Sequence, residues 1–281
     1  IVQHRITCLH FDGAIFSNIT HDHLDYHKTF NAYIKAKKQF FDFLSKDAFA
    51  LINIDDTKGR IMVQNTKASI HTFALKNPAD FKVKVLADTL HGLNLEVQGL
   101  EVWFKLIGDF NAYNLISVYA AACLLDEDSE EVLKILSNLT PVRGRFEQVI
   151  GKTIIGIIDY AHTPDALENV LTTISELRTG NEKVITVVGC GGNRDAEKRP
   201  KMTKIACDLS NHVILTTDNP RFENPTAILE DMKLGITPIA VKKTEIISDR
   251  KEAIEQACLL AEEGDIISVS YTHLTLPTTP Y

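Results

Sequence analysis

The sequence predicts an α/β protein in two parts, the second built on a mostly parallel sheet. Three features of its 281 residues say so. Beyond Gly144, short β-rich runs alternate with helical stretches, the pattern of βαβ units. One of those stretches carries Leu167, Val170, Leu171, Ile174 and Leu177 at the spacing of a single apolar stripe, which can lie on a sheet. Between the two parts, Pro141 to Gly144 punctuates the chain.

The opening run from Ile1 to Thr20 has no helix start signal and goes straight into strand-like residues, as a domain entered in its middle would. Asn31 to Leu44 then reads as a helix. Strands follow at Phe49 to Ile54, Ile70 to Leu75, Phe81 to Leu86 and Leu93 to Val97. The last of these and Glu101 to Ile107 flank Gly99, which predicts a hairpin. Ala112 to Leu125 and Glu130 to Leu139 complete this half as helices. In the second half, strands are expected at Thr153 to Ile158, Val184 to Val188, Val213 to Thr217, Glu245 to Ile247 and Asp265 to Val269. Thr163 is the expected N-cap of the helix after Asp159, with Pro164 at the first helical position, where its missing N–H is tolerated. In such a sheet ligands bind at the carboxyl ends of the strands. Those ends carry DYAHT, GCGGNRD and DNPR.

With 44% hydrophobic and 24% charged residues the chain can bury a core. Its apolar runs reach only about half of the roughly 20 residues a membrane helix needs, and no basic-then-apolar leader opens it. A cytoplasmic protein with no membrane partner is the expectation. The formal charge of −7 argues against nucleic acid, which selects basic surfaces, and leaves room for local basic sites facing an anionic small molecule. Cys8, Cys123, Cys190, Cys207 and Cys258 are odd in number and form no C-x-x-C pair, so free thiols in a reducing compartment are expected.

Two clusters in the first half carry candidate chemistry. NITHDHLDYH brings Asn18, His21, Asp22, His23, Asp25 and His27 together after a β-like run. Histidine and carboxylate suit a divalent metal, while the absence of a fixed ligand spacing leaves a solvated loop as the other reading. On the helix that follows, Lys37 lies about 40° from Tyr33, inside the stripe made with Phe40, Phe41 and Leu44, whereas Lys35 and Lys38 point elsewhere. Burial disfavours the ammonium, and a neutral amine can attack carbon dioxide to become a carbamate. The alternative is a lysine whose stem packs while its head reaches water. In GDFNAYN, Asn111 and Asn114 stand three apart at a helix start. Either both amides face a ligand or Asn111 is merely an N-cap.

PVRGRFE at the boundary offers Arg143 and Arg145 as planar donors for phosphate or carboxylate, or as ordinary surface arginines. In GCGGNRD the glycines permit close backbone approach to a ligand and Arg194 adds a charged fork. The motif is not G-x-G-x-x-G, which disfavours a nicotinamide-binding domain. DNPRFENP sets Arg221 beside a rigid Asn-Pro turn suited to carboxylate recognition, and a plain βα loop is the other reading. By spacing alone none of these names a substrate.

Taken together and in this order, FDGAIFSNITHDHLDYH, YIKAKKQFF, GDFNAYN, PVRGRFE, DYAHTPDAL, GCGGNRDAEKRP and DNPR resemble the Mur ligase family, in its UDP-N-acetylmuramoyl-tripeptide synthetase branch. The resemblance implies that residues 1–141 are the C-terminal part of a central ATPase domain. Residues 142–269 would then form a Rossmann-like domain that binds the incoming amino acid. It implies that ATP phosphorylates the D-glutamate carboxylate of UDP-N-acetylmuramoyl-L-alanyl-D-glutamate and that the amine of meso-diaminopimelate attacks the acyl phosphate. Magnesium (Mg2+) would neutralise phosphate charge. A lysine-adding ligase and a non-catalytic nucleotide-binding module are the rival expectations.

Residue by residue, His23 matches the family's magnesium-binding histidine. Lys37 matches a lysine that is carbamylated and helps to position a second magnesium. Asn111 and Asn114 match adenine-binding asparagines. Arg145 and Asp159 match residues contacting the ATP ribose or phosphates, with His162 nearby. Arg194, Asp218, Asn219 and Arg221 match the diaminopimelate-binding set.

The family's glycine-rich phosphate loop, a magnesium-binding glutamate and the UDP-binding domain would lie upstream of Ile1, so this piece is expected to be inactive by itself. GDIISV agrees with the family, but a G-x-G-H-E segment is expected next and the chain reads SYTHLTLPTTPY. Residues 270–281 are therefore expected to be a non-native tail.

Overall fold

The computed structural model describes residues 6, 8–20, 29–193 and 195–271. The chain divides into two compact units, Ile1–Thr140 and Pro141–Tyr281. Each contains a six-stranded sheet.

The first unit runs β1 (Gly13–Phe16), α1 (Phe30–Asp42), β2 (Phe49–Asn53), α2 (Gly59–Met62), β3 (Ser69–Ala74), β4 (Phe81–Thr89), β5 (Gly92–Val97), β6 (Leu100–Phe104), α3 (Asp109–Leu124) and α4 (Ser129–Ser137). Its strands lie in sequence order. β1 to β4 pair in parallel, and β4 to β6 form an antiparallel meander. All five residues of β2 are buried, because both faces of the sheet are covered. Phe49 and Leu51 join Phe73, Leu95 and the α3 residues Leu115, Ile116 and Tyr119, while Ala50 and Ile52 join Tyr33, Ile34 and Phe41 of α1 on the other side. The two-residue repeat of a strand makes that division.

The expected hairpin is present between β5 and β6. Gln98 (φ 50°) and Gly99 (φ 81°) are both left-handed, the two-residue turn whose twist suits antiparallel strands. α3 starts earlier than expected. Its N-cap is Gly108, so Asn111 stands in the first turn and the N-cap reading of Asn111 is wrong. Gly108, at φ 89°, caps with no side chain and left no polar signal in the sequence.

The second unit runs β7 (Glu147–Ile150), β8 (Ile155–Asp159), α5 (Pro164–Leu177), β9 (Val184–Cys190), α6 (Lys198–Leu209), β10 (His212–Thr217), α7 (Pro225–Lys233), β11 (Thr244–Ile246), α8 (Arg250–Leu260) and β12 (Ile266–Ser270). The strand order is β11-β10-β9-β12-β8-β7, parallel throughout except for β7. β7 was not foreseen, because Val149 and Ile150 are both exposed and the strand shows no buried face. β9, near the middle, is buried along its whole length. Thr163 caps α5 by accepting from the Ala166 N–H at 3.3 Å, Pro164 opens the helix, and Leu167, Val170, Leu171 and Ile174 are buried as the stripe requires. Each such side chain removed from water stabilises the fold by about 1.5–3 kcal/mol. On α8 the small Ala253 and Ala257 pack against Ile185, Val187, Ile214 and Ile267.

Ser270 ends β12 and donates its hydroxyl to the Ala161 carbonyl, and Tyr271 is buried beside the Tyr160 ring at 5.9 Å. All five cysteines are free. Among the described residues no helix is long and apolar enough to cross a membrane.

Candidate functional site

The carboxyl ends of β8, β9 and β10 gather most of the residues singled out in the second unit. Asp159 is the last residue of β8, and its Oδ2 accepts the Phe146 N–H at 2.7 Å. The Tyr160 N–H donates to the Gly144 carbonyl at 2.9 Å, so GRF and DYAHT are held side by side. The Arg145 guanidinium lies 4.5 Å from the centroid of the Tyr160 ring, a cation on a π face. Burial pushes the Asp159 carboxyl above its ordinary value, partly opposed by the Phe146 N–H, the Arg145 charge, the Ala161 N–H and His162. His162 Nδ1 is 3.0 Å from the Tyr160 carbonyl. A carbonyl only accepts, so Nδ1 carries the proton and Nε2 of the neutral ring is an acceptor. Arg145, Asp159 and His162 are thus brought together around Tyr160: a cation, a carboxylate with a raised pKa and an oriented imidazole.

At the ends of β9 and β10 two loops are fastened to each other. Gly192 N–H donates to the Asn219 carbonyl at 2.9 Å and Phe222 N–H to Asn193 Oδ1 at 2.9 Å, while Arg221 Nη1 donates to the Gly192 carbonyl and Asn193 N–H to Glu223 Oε1. A Cβ on Gly192 would overlap the Pro220 carbonyl. The close approach that the sequence reading assigned to a ligand is made at Gly192 by the protein's own DNPR loop. Asp218 Oδ1 accepts the Asn219 N–H at 2.8 Å, and Asn219 Oδ1 accepts the Arg221 N–H at 3.1 Å. Arg221 is exposed with φ 48°, so the turn presents it outward. Arg194 lies outside the described residues.

In the first unit, Asn111 Nδ2 donates to the Ile107 carbonyl at 2.8 Å and Asn114 Nδ2 to Asn111 Oδ1 at 3.2 Å. The two amides therefore share one face. Asn114, exposed, retains a carbonyl oxygen and a second N–H, a donor and acceptor side by side. Between them Tyr113 donates to Asp55 at 2.8 Å, docking the start of α3 on the loop after β2.

Lys37 is exposed, so of its two readings the structure shows the lysine whose head reaches water and not the buried amine. Helical side chains lean toward the preceding turn, and its Nζ stands 5.2 Å from the centroid of the Tyr33 ring with the ammonium in water. His23, with His21, Asp22, Asp25 and His27, lies outside the described residues.

Comparison with known families accounts for this arrangement. The Mur ligase middle domain matches residues 1–122, and the Mur ligase glutamate ligase domain matches residues 144–270. The chain belongs to the Mur ligase family. It is 60% identical over 270 residues to the UDP-N-acetylmuramoyl-L-alanyl-D-glutamate–2,6-diaminopimelate ligase of Cytophaga hutchinsonii, a match covering 96% of this chain and 55% of that protein. The chain thus spans about half the length of this Mur ligase relative. A solved structure described by the same enzyme name shares 36% identity and a TM-score of 0.62, covering 96% of this chain and 56% of that one. A MurF ligase from Thermotoga maritima in complex with ADP has the same fold at 18% identity, with a TM-score of 0.76, 96% of this chain and 60% of that one covered.

Among the described residues no group of three His, Cys, Asp or Glu stands together to hold a metal ion. Lys37 offers no oxygen ligand unless its amine is modified, and His23 lies outside the described residues.

Three residues that hold these elements in place, one in the first unit and two in the second, escaped the sequence reading. Asp55 anchors α3. Arg199 is buried and pairs with Glu223 at 2.8 Å and Asp231 at 2.7 Å. Arg250 donates to the Thr217 carbonyl at 3.3 Å and the Ser270 carbonyl at 2.7 Å, tying the ends of β10 and β12 across β9. Their only sequence signal was a charge set close to an apolar strand.

Proposed function

We propose that this chain is part of the ATP-dependent ligase that adds meso-diaminopimelate to UDP-N-acetylmuramoyl-L-alanyl-D-glutamate in bacterial peptidoglycan biosynthesis, a cytoplasmic reaction. The observation that carries the reading is the 60% identity to the Cytophaga hutchinsonii ligase over 96% of the chain. The terminal phosphoryl group of ATP passes to an oxygen of the D-glutamate carboxylate, giving ADP and an acyl phosphate. The diaminopimelate amine then attacks the acyl carbon, phosphate leaves, and the ammonium proton is released to solvent or a base.

The residues take roles that suit this chemistry. Asn111 and Asn114 present a paired donor and acceptor to the adenine edge. Arg145 and Asp159 meet the ribose and phosphates, with His162 as a neighbouring acceptor. Asp218 and Asn219 face the amino-acid amine, and Arg194 and Arg221 face its carboxylates. Magnesium is assigned to His23 and to Lys37 after carbamylation, which turns the amine into an oxygen ligand.

The test is a ligation assay with the full-length enzyme, ATP, Mg2+ and the UDP-muramoyl dipeptide. We expect ADP, phosphate and a product heavier by one diaminopimelate residue. Lysine used with equal or better kcat/KM would replace the reading with a lysine-adding ligase. Nucleotide binding with no product from either amino acid would leave a binding module.

A further inference from the structure

We propose that Arg199 and Glu223 are positioning residues for amino-acid selection, acting by clamping the GCGGN loop to the DNPR loop; this rests on the function proposed above. Glu223 is shared between two duties. Its Oε1 accepts the Asn193 N–H, and its Oε2 accepts from Arg199 Nη2 at 2.8 Å. Its own N–H closes a turn on the Pro220 carbonyl at 2.9 Å, directly over Arg221. Arg199 comes from α6, is 3% exposed in its side chain, and is also held by Asp231 of α7 at 2.7 Å. A buried guanidinium needs both carboxylates to offset its lost hydration, so the loop that supplies Glu223 is drawn onto the helices.

The consequence falls on Arg221. A non-glycine residue at φ 48° is strained and persists only where its surroundings hold it. Here the surroundings are the bonds from Gly192 and Asn193 to Asn219, Phe222 and Glu223. Without Glu223, Arg221 can relax toward a right-handed turn and carry its guanidinium away from the Gly192 carbonyl. Neither Arg199 nor Glu223 needs to touch the amino acid for this to happen.

The experiment is steady-state kinetics on the full-length ligase with Glu223→Gln and Glu223→Ala, each also combined with Arg221→Ala. Glu223→Ala is expected to raise KM for meso-diaminopimelate at least tenfold and to narrow its preference over lysine, with KM for ATP within twofold of wild type. Glu223→Gln, which keeps one acceptor for Asn193 but loses the ion pair, falls between and carries the test if the alanine variant does not fold. In the Arg221→Ala background either change should add less than twofold, because the clamp acts through that arginine. KM for diaminopimelate unchanged while Tm falls, or equal losses for every substrate, would reduce the pair to a structural tie. Full additivity with Arg221→Ala would also overturn the proposal. A wild-type enzyme that ligates no diaminopimelate refutes the functional reading instead, and is seen before any variant is made.

Discussion

Tyr113 and Asp55, far apart in sequence, meet through a 2.8 Å hydrogen bond that seats the start of α3 against the loop after β2. Asp55 also accepts from the N–H groups of Leu75, Lys76 and Asn77 at 2.8, 2.9 and 2.9 Å. Burial pushes this carboxyl up, but the N–H groups of Lys76 and Asn77, the Tyr113 hydroxyl and the Leu75 N–H outweigh it and bring its pKa from 3.8 to about 2. A group with a depressed folded pKa stabilises fully above its unfolded value and loses that contribution as pH falls through the folded one. Tyr113→Phe deletes a bond to a charged acceptor and should cost about 1.5–3 kcal/mol at pH 7. Urea midpoints measured from pH 7 down to 2 should show the difference shrinking below about pH 4. Equal midpoints at pH 7 would remove Asp55 as the anchor of α3.

Asp159 has the opposite sign. Its carboxyl is raised by burial, so the ionised form is disfavoured in the fold: the cost is absent below the unfolded pKa and fully present above the folded one. Asp159→Asn keeps an oxygen for the Phe146 N–H and removes the charge. The variant should be at least as stable as wild type at pH 7, with its advantage fading toward pH 3, while the full-length enzyme binds ATP more weakly. A lower Tm at pH 7 would show that the carboxylate is stabilising.

What the sequence made legible is what repeats locally. The α5 stripe and its Thr163 cap, the β-rich runs of both sheets and the hairpin at Gly99 all follow from periodicity or from one residue's allowed backbone. The candidate ligand contacts were legible as residue types in motifs. Their supports were not, because Asp55 with Tyr113 and Arg199 with Glu223 and Asp231 are pairings between distant positions with no period to betray them. Gly192 shows the limit best: its freedom was visible, but the Pro220 carbonyl that requires it belongs to another loop.

That contact is itself testable. Gly192→Ala places a methyl group on the Pro220 carbonyl, and backbone cannot yield as a flexible side chain can. The substitution should raise KM for diaminopimelate at least tenfold in the full-length enzyme and lower Tm by several degrees, about what 1–3 kcal/mol of overpacking does. Unchanged values in both assays would mean that the two loops separate freely.

Lys37 carries a prediction of a different kind. Exposed beside Tyr33, it can be reached by carbon dioxide, and its proposed role is that of a carboxylate made from an amine. Lys37→Ala in the full-length enzyme should abolish ligation, and added formate or acetate should restore part of it by supplying the missing oxygens. Full activity in Lys37→Ala would leave the residue a surface lysine.

Selection of meso-diaminopimelate over lysine should depend on Arg221. Diaminopimelate is lysine with a second carboxylate at the far end, so discrimination needs a donor that this carboxylate satisfies and lysine leaves unmatched. Arg221 spends Nη1 on the Gly192 carbonyl, and that bond fixes the plane of the guanidinium. The N–H groups of Nη2 and Nε then form a fork that can meet a carboxylate with two parallel hydrogen bonds. A lysine substrate would leave the fork without its anion, and two charge-assisted hydrogen bonds are together worth about 3 kcal/mol, enough for roughly a hundredfold selectivity. Arg221→Ala should therefore lower kcat/KM for diaminopimelate by about a hundredfold or more and for lysine far less, with KM for ATP within about twofold. Arg221→Lys should recover little, because an ammonium cannot hold the Gly192 carbonyl and bind a carboxylate through two planar donors at once. Equal losses for both amino acids, or none for diaminopimelate, would show that the second carboxylate is read elsewhere.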